Sequence, residues 1–378
     1  MLINAGKVRR RAGAVMLSAV ALFGAFVFGG GETLHVFARN TAVLSAAIML
    51  PEGSLSVLAE IWADRTEVTV KSASFSGLPE ADNETDIEDM KTSPVALEPE
   101  NTAEHTDPPP DIPPNKTGKV IEQKFGNAGL NFQDVWVSSK VKNNTVSVQT
   151  ELERPLDFKI LKNGKPQVLI VHTHTTESYM DVFDGAYDPN FPSRSRDASK
   201  NMIAVGEAIA KELNDAGYMA VQIKNEHDYP SYNGAYDRSR ASISAMLKKY
   251  PSIDVVIDVH RDAIMRDNGD KIKPTAVIDG KKAAQIMIIS GCDDNKKLGY
   301  PDWEQNLRFS VRVQQSMSKL YPGLARPVLF SEKKYNQDMK HGSFLVEMGS
   351  DSNTLEEALY SGQLFGKALV DTFDTCFG

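Results

Sequence analysis

The chain of 378 residues has only two cysteines, Cys292 and Cys376. That excludes a disulfide-framed secreted scaffold and speaks against cysteine ligation of a metal. One disulfide and two free thiols both remain open. The chain also lacks any excess of positive charge: its formal net charge is −8. A nucleic-acid binder presents a basic face, so no nucleic-acid partner is expected. No Gly-rich phosphate loop is present. Ser178 is not in a G-x-S-x-G elbow, which argues against a serine nucleophile. Cys292 sits in Gly291-Cys292-Asp293-Asp294, where neighbouring acids disfavour a thiolate, which argues against a cysteine nucleophile.

What is present is unevenly spread. Lys7 and Arg9 to Arg11 precede an apolar run from Ala12 to Gly31 in which Ser18 is the only ordinary polar residue. About 20 residues of helix cross a bilayer core, and basic residues ahead of the span keep that end in the cytoplasm. Residues 1–31 therefore read as a cytoplasmic basic stub and a transmembrane anchor. The protein is expected in the cell membrane, single-pass, with the rest of the chain on the extracytoplasmic side. A cleaved signal peptide is the rival, but no A-x-A-like site follows Gly29-Gly30-Gly31. Residues 32–74 read as a membrane-proximal segment. Residues 75–117 turn acidic and proline-rich, ending in Pro108-Pro109-Pro110-Asp111-Ile112-Pro113-Pro114. Such a segment buries too little surface to offset its ordering entropy and reads as a disordered tether.

Residues 118–165 carry strand-like runs at 119–123, 135–137 and 146–150, with turn signals at Gly126-Asn127, Asn143-Asn144 and Asn163-Gly164: a small β-rich preface. From 166 to 378 strands and helices alternate. Strands are expected at 167–172, 219–223, 275–279 and 285–290, and in two runs ending at His260 and Glu347. Helices are expected around Met202–Leu213, then at 234–249, 304–320 and 354–371, with Gly217 past the end of the first. The fold class is α/β, a mostly parallel central sheet flanked by helices.

The chemistry-bearing groups follow strands. Val168-Leu169-Ile170-Val171 is the pattern of a strand buried on both faces, and His172, His174 and Glu177 follow it. Val255-Val256-Ile257-Asp258-Val259-His260 and Phe344-Leu345-Val346-Glu347 repeat the design. In open α/β sheets, ligands sit beyond the carboxyl ends of strands, so the three ends are expected to meet around one zinc ion. A hydrolytic zinc takes three protein ligands and one water. The candidates are His174 and Glu177, an H-x-x-E pair, and His260. Glu347 is the candidate proton carrier, since a carboxylate in a buried strand is costly without a partner. His172 is the alternative to His174, because along a continuing strand both would face the same way. Asp258 or Asp262 is expected to orient the second ring nitrogen of His260. Each histidine has a plainer reading as an ordinary core or surface residue. His227 and His341 are read as surface residues of polar loops.

Val168–Tyr179, Asp258–Ala263, Trp303–Leu307, Tyr335–Asp338, Leu345–Ser350 and Asn353–Ala358 together resemble the stage II sporulation protein P family of endospore-forming bacteria. The resemblance implies a zinc-dependent peptidoglycan hydrolase: an N-acetylmuramoyl-L-alanine amidase cutting between the muramic acid lactyl group and L-alanine, and an endopeptidase on peptide crosslinks. It implies action during spore engulfment, between mother cell and forespore. The implied partners are stage II sporulation protein D, which cleaves glycan, and the membrane protein stage II sporulation protein M. The domain is further similar to the wider cell-wall zinc amidases, which implies roles for His174, His260 and Glu347. In that group the acidic ligand opens the first helix; the matching position here is nearer Asp197, so Glu177 and Asp197 stand as alternatives. Arg261 or Arg194 is a candidate fork for substrate carboxylates. The rivals are a zinc peptidase acting only on stem peptides and a non-catalytic wall-binding scaffold.

Overall fold

The computed structural model describes residues 116–141, 146–190 and 193–378. The anchor, the membrane-proximal segment and nearly all of the tether read from residues 1–117 lie outside them, as does the turn at Asn143-Asn144. Among the described residues no helix is long and apolar enough to cross a membrane.

Residues 118–165 do not stand apart. β1 (Gly118–Gln123) pairs with β8 (Lys271–Ile278) in a four-stranded sheet of order β5-β1-β8-β9, where β5 is Ala186–Tyr187 and β9 is Lys281–Ala284. β2 (Leu130–Phe132) and β3 (Val135–Ser139) form one edge of the main sheet. The run 146–150, expected as a strand, is instead the start of helix α1 (Val148–Glu153). Ser147 caps it, accepting from Thr150 N at 3.3 Å, and buried Glu151 meets Arg308 Nε at 2.7 Å. A serine cap and a tertiary ion pair here override the strand propensity of the valines.

β4 (Val168–Val171) is buried along its whole length. It pairs in parallel with β6 (Ala220–Gln222) and with β7 (Val255–Asp262). Beyond β7 lie β12 (Gly342–Ser350), β10 (Ile286–Gly291) and β11 (Val328–Ser331), completing the order β2-β3-β11-β10-β12-β7-β4-β6. Within this eight-stranded sheet only the β2–β3 and β10–β12 pairings are antiparallel. The expected mostly parallel α/β sheet is therefore present.

Alternation along the strands sorts side chains onto two faces. Val168, Ile170, Ile257 and Val346 join the larger core, with α2 (Met202–Asp215), α4 (Trp303–Leu320) and α5 (Leu355–Phe377). Leu169, Val171 and Val256 face α3 (Ala235–Lys249) through Ile243. α2 starts at Asn201, whose side chain accepts from Ile203 N at 3.0 Å. It ends before Gly217, which takes the left-handed conformation (φ +87°) of a helix stop. Thr354 and Glu357 form a capping box on α5. Asn306, from Trp303–Leu307, donates to Gln337 O at 2.8 Å and accepts from Ser343 N at 3.0 Å. That segment thereby locks α4 onto the strand that carries Glu347.

Candidate metal centre

The carboxyl ends of β4, β7 and β12, three neighbouring parallel strands, deliver the site. On β7 the period of two sets Asp258 and His260 on the same face as Val256. β4 stops at Val171, and the chain turns back through 172–177, with Glu177 N donating to His174 O at 3.2 Å. The turn is braced from behind: Asp228 accepts from Thr176 N at 3.1 Å, from Thr176 Oγ1 at 2.6 Å and from Arg194 Nη1 at 2.6 Å.

His174 Nδ1 lies 3.6 Å from Glu177 Oε1, and His260 Nδ1 lies 3.5 Å from Glu177 Oε2. One ligand atom from each of the three falls within 4.8 Å of the others, and all three side chains are buried. Two ligands at about 2.05 Å from one zinc, at a tetrahedral angle, stand about 3.4 Å apart. Each nitrogen-to-carboxylate spacing matches that separation, but the two are made to different oxygens of Glu177, and the three ligand atoms spread over up to 4.8 Å, so a single ion would draw the three side chains together. Neither His174 Nδ1 nor His260 Nδ1 has a hydrogen-bond partner, although buried polar atoms nearly always find one. A cation bound by two imidazole nitrogens and a carboxylate satisfies them. Among the described residues no other group of three such side chains converges in this way.

The electrostatics favour an anionic Glu177. Burial pushes its carboxyl up, but Arg261 and the two histidines outweigh this and hold it well below the usual carboxylate range. His260 is disfavoured as a cation by burial, yet Asp258 and Glu177 raise its pKa well above the ordinary value. Asp258 Oδ1 stands 2.9 Å from His260 Nε2, close enough for an ion pair though not aligned as a hydrogen bond. Asp258 is itself fixed by Thr173 N at 2.9 Å and Thr173 Oγ1 at 2.6 Å. Of the two aspartates flanking His260, it is therefore Asp258 that backs the ring. Asp262 accepts from Arg326 Nη1 at 2.9 Å instead.

Glu347 pairs with His260 in the β12–β7 ladder and is 2% exposed, and its Oε2 has no partner. Burial first, then the charge of Asp262, push its pKa well above the ordinary value; His260 opposes and Glu177 adds.

The alternatives fall elsewhere. His172 does not face the cluster, because the strand ends before it. Its Nδ1 donates to Val259 O at 3.0 Å and its Nε2 accepts from the Gln222 amide at 2.9 Å, so neither nitrogen is left for a metal. Burial drives its pKa down to about 4. Gly206 of α2 makes room for the ring, since a Cβ there would stand 2.7 Å from His172 Cε1. Asp197 is exposed and lies before α2, not in its first turn; its Oδ1 accepts from Ser199 N at 2.9 Å and Ser199 Oγ at 2.7 Å. Arg261 is buried, and its Nε and Nη2 donate to Ser178 O at 3.3 Å and Ser193 O at 3.0 Å. It is a strut under Glu177 and not a fork presented to substrate. Arg194 is a third exposed, but Asp228 engages it.

Several residues at the site were not legible as such. His227 is buried, not on the surface: Nδ1 donates to His172 O at 2.8 Å and Nε2 accepts from Ser242 Oγ at 2.9 Å. His341 is exposed as expected, beside Asp157 at 2.7 Å. Tyr232 stacks on the His174 ring at 4.5 Å, and Tyr236 meets it edge-on at 5.7 Å. Tyr335 packs on Tyr236 at 5.6 Å. Tyr335 and Asn336 both have left-handed backbones, with φ of +47° and +56°; asparagine adopts this region readily, whereas for Tyr335 it costs about 1–3 kcal/mol. Asn336 Nδ2 holds that loop by donating to Tyr236 O at 2.9 Å and Ser239 Oγ at 3.1 Å. Tyr232 precedes α3, which starts at Ala235 after the left-handed Gly234, so no helical spacing ties it to Tyr236 and no local signal marked the pair. Cys292 and Cys376 are both free thiols.

A family model for Stage II sporulation protein P matches residues 78–370. The stage II sporulation protein P of Bacillus subtilis (strain 168) is 27% identical over 286 residues, spanning 72% of this chain but only 63% of that one. Among solved structures, the chain is similar to the N-acetylmuramoyl-L-alanine amidase AmiC2 of Nostoc punctiforme (11% identity, 55% of this chain and 96% of that one, TM-score 0.33). It is similar to the N-acetylmuramoyl-L-alanine amidase from Clostridium difficile 630 (13% identity, 56% and 97%, TM-score 0.35). It is also similar to a metallo-carboxypeptidase from Burkholderia cenocepacia (12% identity, 58% and 60%, TM-score 0.34).

Proposed function

Because the chain belongs to the stage II sporulation protein P family, we propose that it is a zinc-dependent peptidoglycan hydrolase. Its bond is the amide between the muramic acid lactyl group and L-alanine, with peptide crosslinks as second targets. The observation that carries this reading is the convergence of His174, Glu177 and His260 at donor separations of 3.5 and 3.6 Å beside the unpartnered carboxylate of Glu347. Two imidazoles and a carboxylate are the donor set of a hydrolytic zinc site.

A zinc ion held by His174, Glu177 and His260 would supply a water acidified to a pKa of about 7 and a Lewis acid for the amide carbonyl. The protein's own groups do the rest. Glu347 takes the proton of the attacking water and delivers it to the departing amine. Asp258 keeps the His260 ring in place, and Arg261 and Asp228 keep His174 and Glu177 on their turn.

We further place the protein in the cell membrane, anchored by the Ala12–Gly31 run, with its catalytic domain outside the cytoplasm, between mother cell and forespore. The support is the basic cluster ahead of that run and the family. Stage II sporulation proteins D and M are its partners on the strength of the family alone.

Mass spectrometry of sacculi digested by the full-length protein tests the chemistry. Free stem peptides with bare glycan strands are the expected products. Shortened crosslinks with peptides still on the glycan point to a stem-peptide peptidase. Capture of sacculi with no release points to a scaffold.

A further inference from the structure

Among the described residues, eight buried side-chain nitrogen and oxygen atoms have no hydrogen-bond partner, and five of them lie at the candidate centre. His174 Nδ1, both ring nitrogens of His260 and Glu347 Oε2 have occupations in the reading above. The fifth, the Tyr236 hydroxyl, has none.

Tyr236 stands in the first turn of α3. Its ring meets His174 edge-on at 5.7 Å, and its hydroxyl lies close enough to Asp258 and Glu347 to feel both carboxylates. It is held from other sides as well. The Tyr335 ring packs on it at 5.6 Å, and Asn336 donates to its main-chain carbonyl at 2.9 Å. Tyr335, at φ +47°, keeps a left-handed backbone that its residue type rarely adopts. Backbone strain kept in this way gathers where a group must be positioned. An unpartnered buried hydroxyl is itself a cost, so the arrangement makes sense if something arriving from outside accepts from it.

Four other donors at the centre are engaged. Arg261 donates to Ser178 and Ser193, Arg194 to Asp228, Thr173 to Asp258 and Thr176 to Asp228. Glu177 is held as a carboxylate, which only accepts, and Glu347 is taken up with the attacking water and the departing amine. Amide hydrolysis builds negative charge on the carbonyl oxygen, and a preorganised hydrogen-bond donor stabilises it beyond what a metal ion supplies.

We propose that Tyr236 is a catalytic residue whose O–H donates a hydrogen bond to the carbonyl oxygen of the scissile amide. The phenol keeps its proton, and no bond to Tyr236 is made or broken. The hydrogen bond strengthens as the oxygen gains charge, so it favours the transition state over the bound substrate. This assignment rests on the amide-hydrolase reading above.

The test uses full-length wild type and Tyr236→Phe with two readouts. On sacculi, kcat is expected to fall about 10²- to 10³-fold, with KM and zinc content unchanged. In the cobalt-substituted proteins, a phosphinate analogue of the lactyl-L-alanine amide perturbs the visible spectrum. Its affinity is expected to be about 10- to 100-fold weaker in Tyr236→Phe, with the cobalt spectrum of the free protein intact. Equal kcat and equal phosphinate affinity overturn the assignment and leave the hydrolase reading standing. A raised KM with unchanged kcat, or a lost cobalt spectrum in the variant, also overturns it. Wild type that neither cleaves sacculi nor binds the phosphinate removes both readings together.

Discussion

Glu347 and His260 are paired across the parallel ladder of β12 and β7. Two strands distant in sequence thereby set a candidate ligand and an unpartnered carboxylate side by side. The ladder is interrupted straight afterwards: its register shifts between Glu347 and Ser350, and Gly349 takes a φ of +75°. A Cβ at Gly349 would stand 2.5 Å from Asn353 Oδ1. Glycine two places after Glu347 is thus a backbone requirement, which gives Glu347-Met348-Gly349 a physical reason to be a unit.

Glu347→Gln keeps the volume of the side chain and removes the proton acceptor. Hydrolysis is expected to fall about 10²- to 10⁴-fold, with metal content unchanged. Peptide release from sacculi and elemental analysis of the same sample measure both. Undiminished cleavage would take Glu347 out of the chemistry.

Asp258→Asn keeps the hydrogen bond from Thr173 N within reach but removes the charge 2.9 Å from His260 Nε2. Groups that orient a ligating histidine are commonly worth about 10- to 100-fold in metal affinity. Competition against a chromogenic chelator is expected to show a loss of that size. Unchanged affinity would mean that His260 is held by packing alone.

How far all this was legible depends on whether a signal is local. Val168–Val171 announces a strand buried on both faces by composition alone, and His174 and Glu177 follow it by a short turn. Glu347 stands out as a carboxylate in an apolar run. Other features depend on partners far along the chain. Nothing in residues 146–150 shows that Glu151 will meet Arg308, so the helix there was read as a strand. Nothing around His227 shows that a polar loop will be buried under the 172–177 turn. The choice between His172 and His174 turned on the single residue at which β4 stops.

Asp293 supplies a prediction away from the site. Burial pushes its carboxyl up, but backbone N–H groups of Leu298, Tyr300, Lys297 and Gly299 outweigh this and hold its pKa below the usual range. A carboxyl depressed in the folded state stabilises the protein above the unfolded value of about 3.9. That contribution is lost as pH falls through the lower folded value. Asp293→Asn sets an amide N–H against Tyr300 N, which now donates to Oδ2 at 3.0 Å. A loss of about 1–3 kcal/mol at neutral pH is expected, shrinking in acid. Denaturant unfolding at several pH values measures it, and a gap that widens in acid would contradict the account.

Gly206→Ala places a methyl 2.7 Å from His172 Cε1 and 2.5 Å from Gln222 Nε2. Overpacking of this kind costs about 1–3 kcal/mol. Thermal unfolding is expected to show a lowered Tm. An unchanged Tm would mean that α2 and the ring part more easily than their packing implies.

The central claim is that His174, Glu177 and His260 share one zinc ion. X-ray diffraction from zinc-loaded crystals, collected at the zinc absorption edge, tests it most directly. One anomalous peak is expected about 2.0–2.2 Å from His174 Nδ1, His260 Nδ1 and a Glu177 oxygen. A peak on other residues, or no peak in protein that cleaves sacculi, would contradict it.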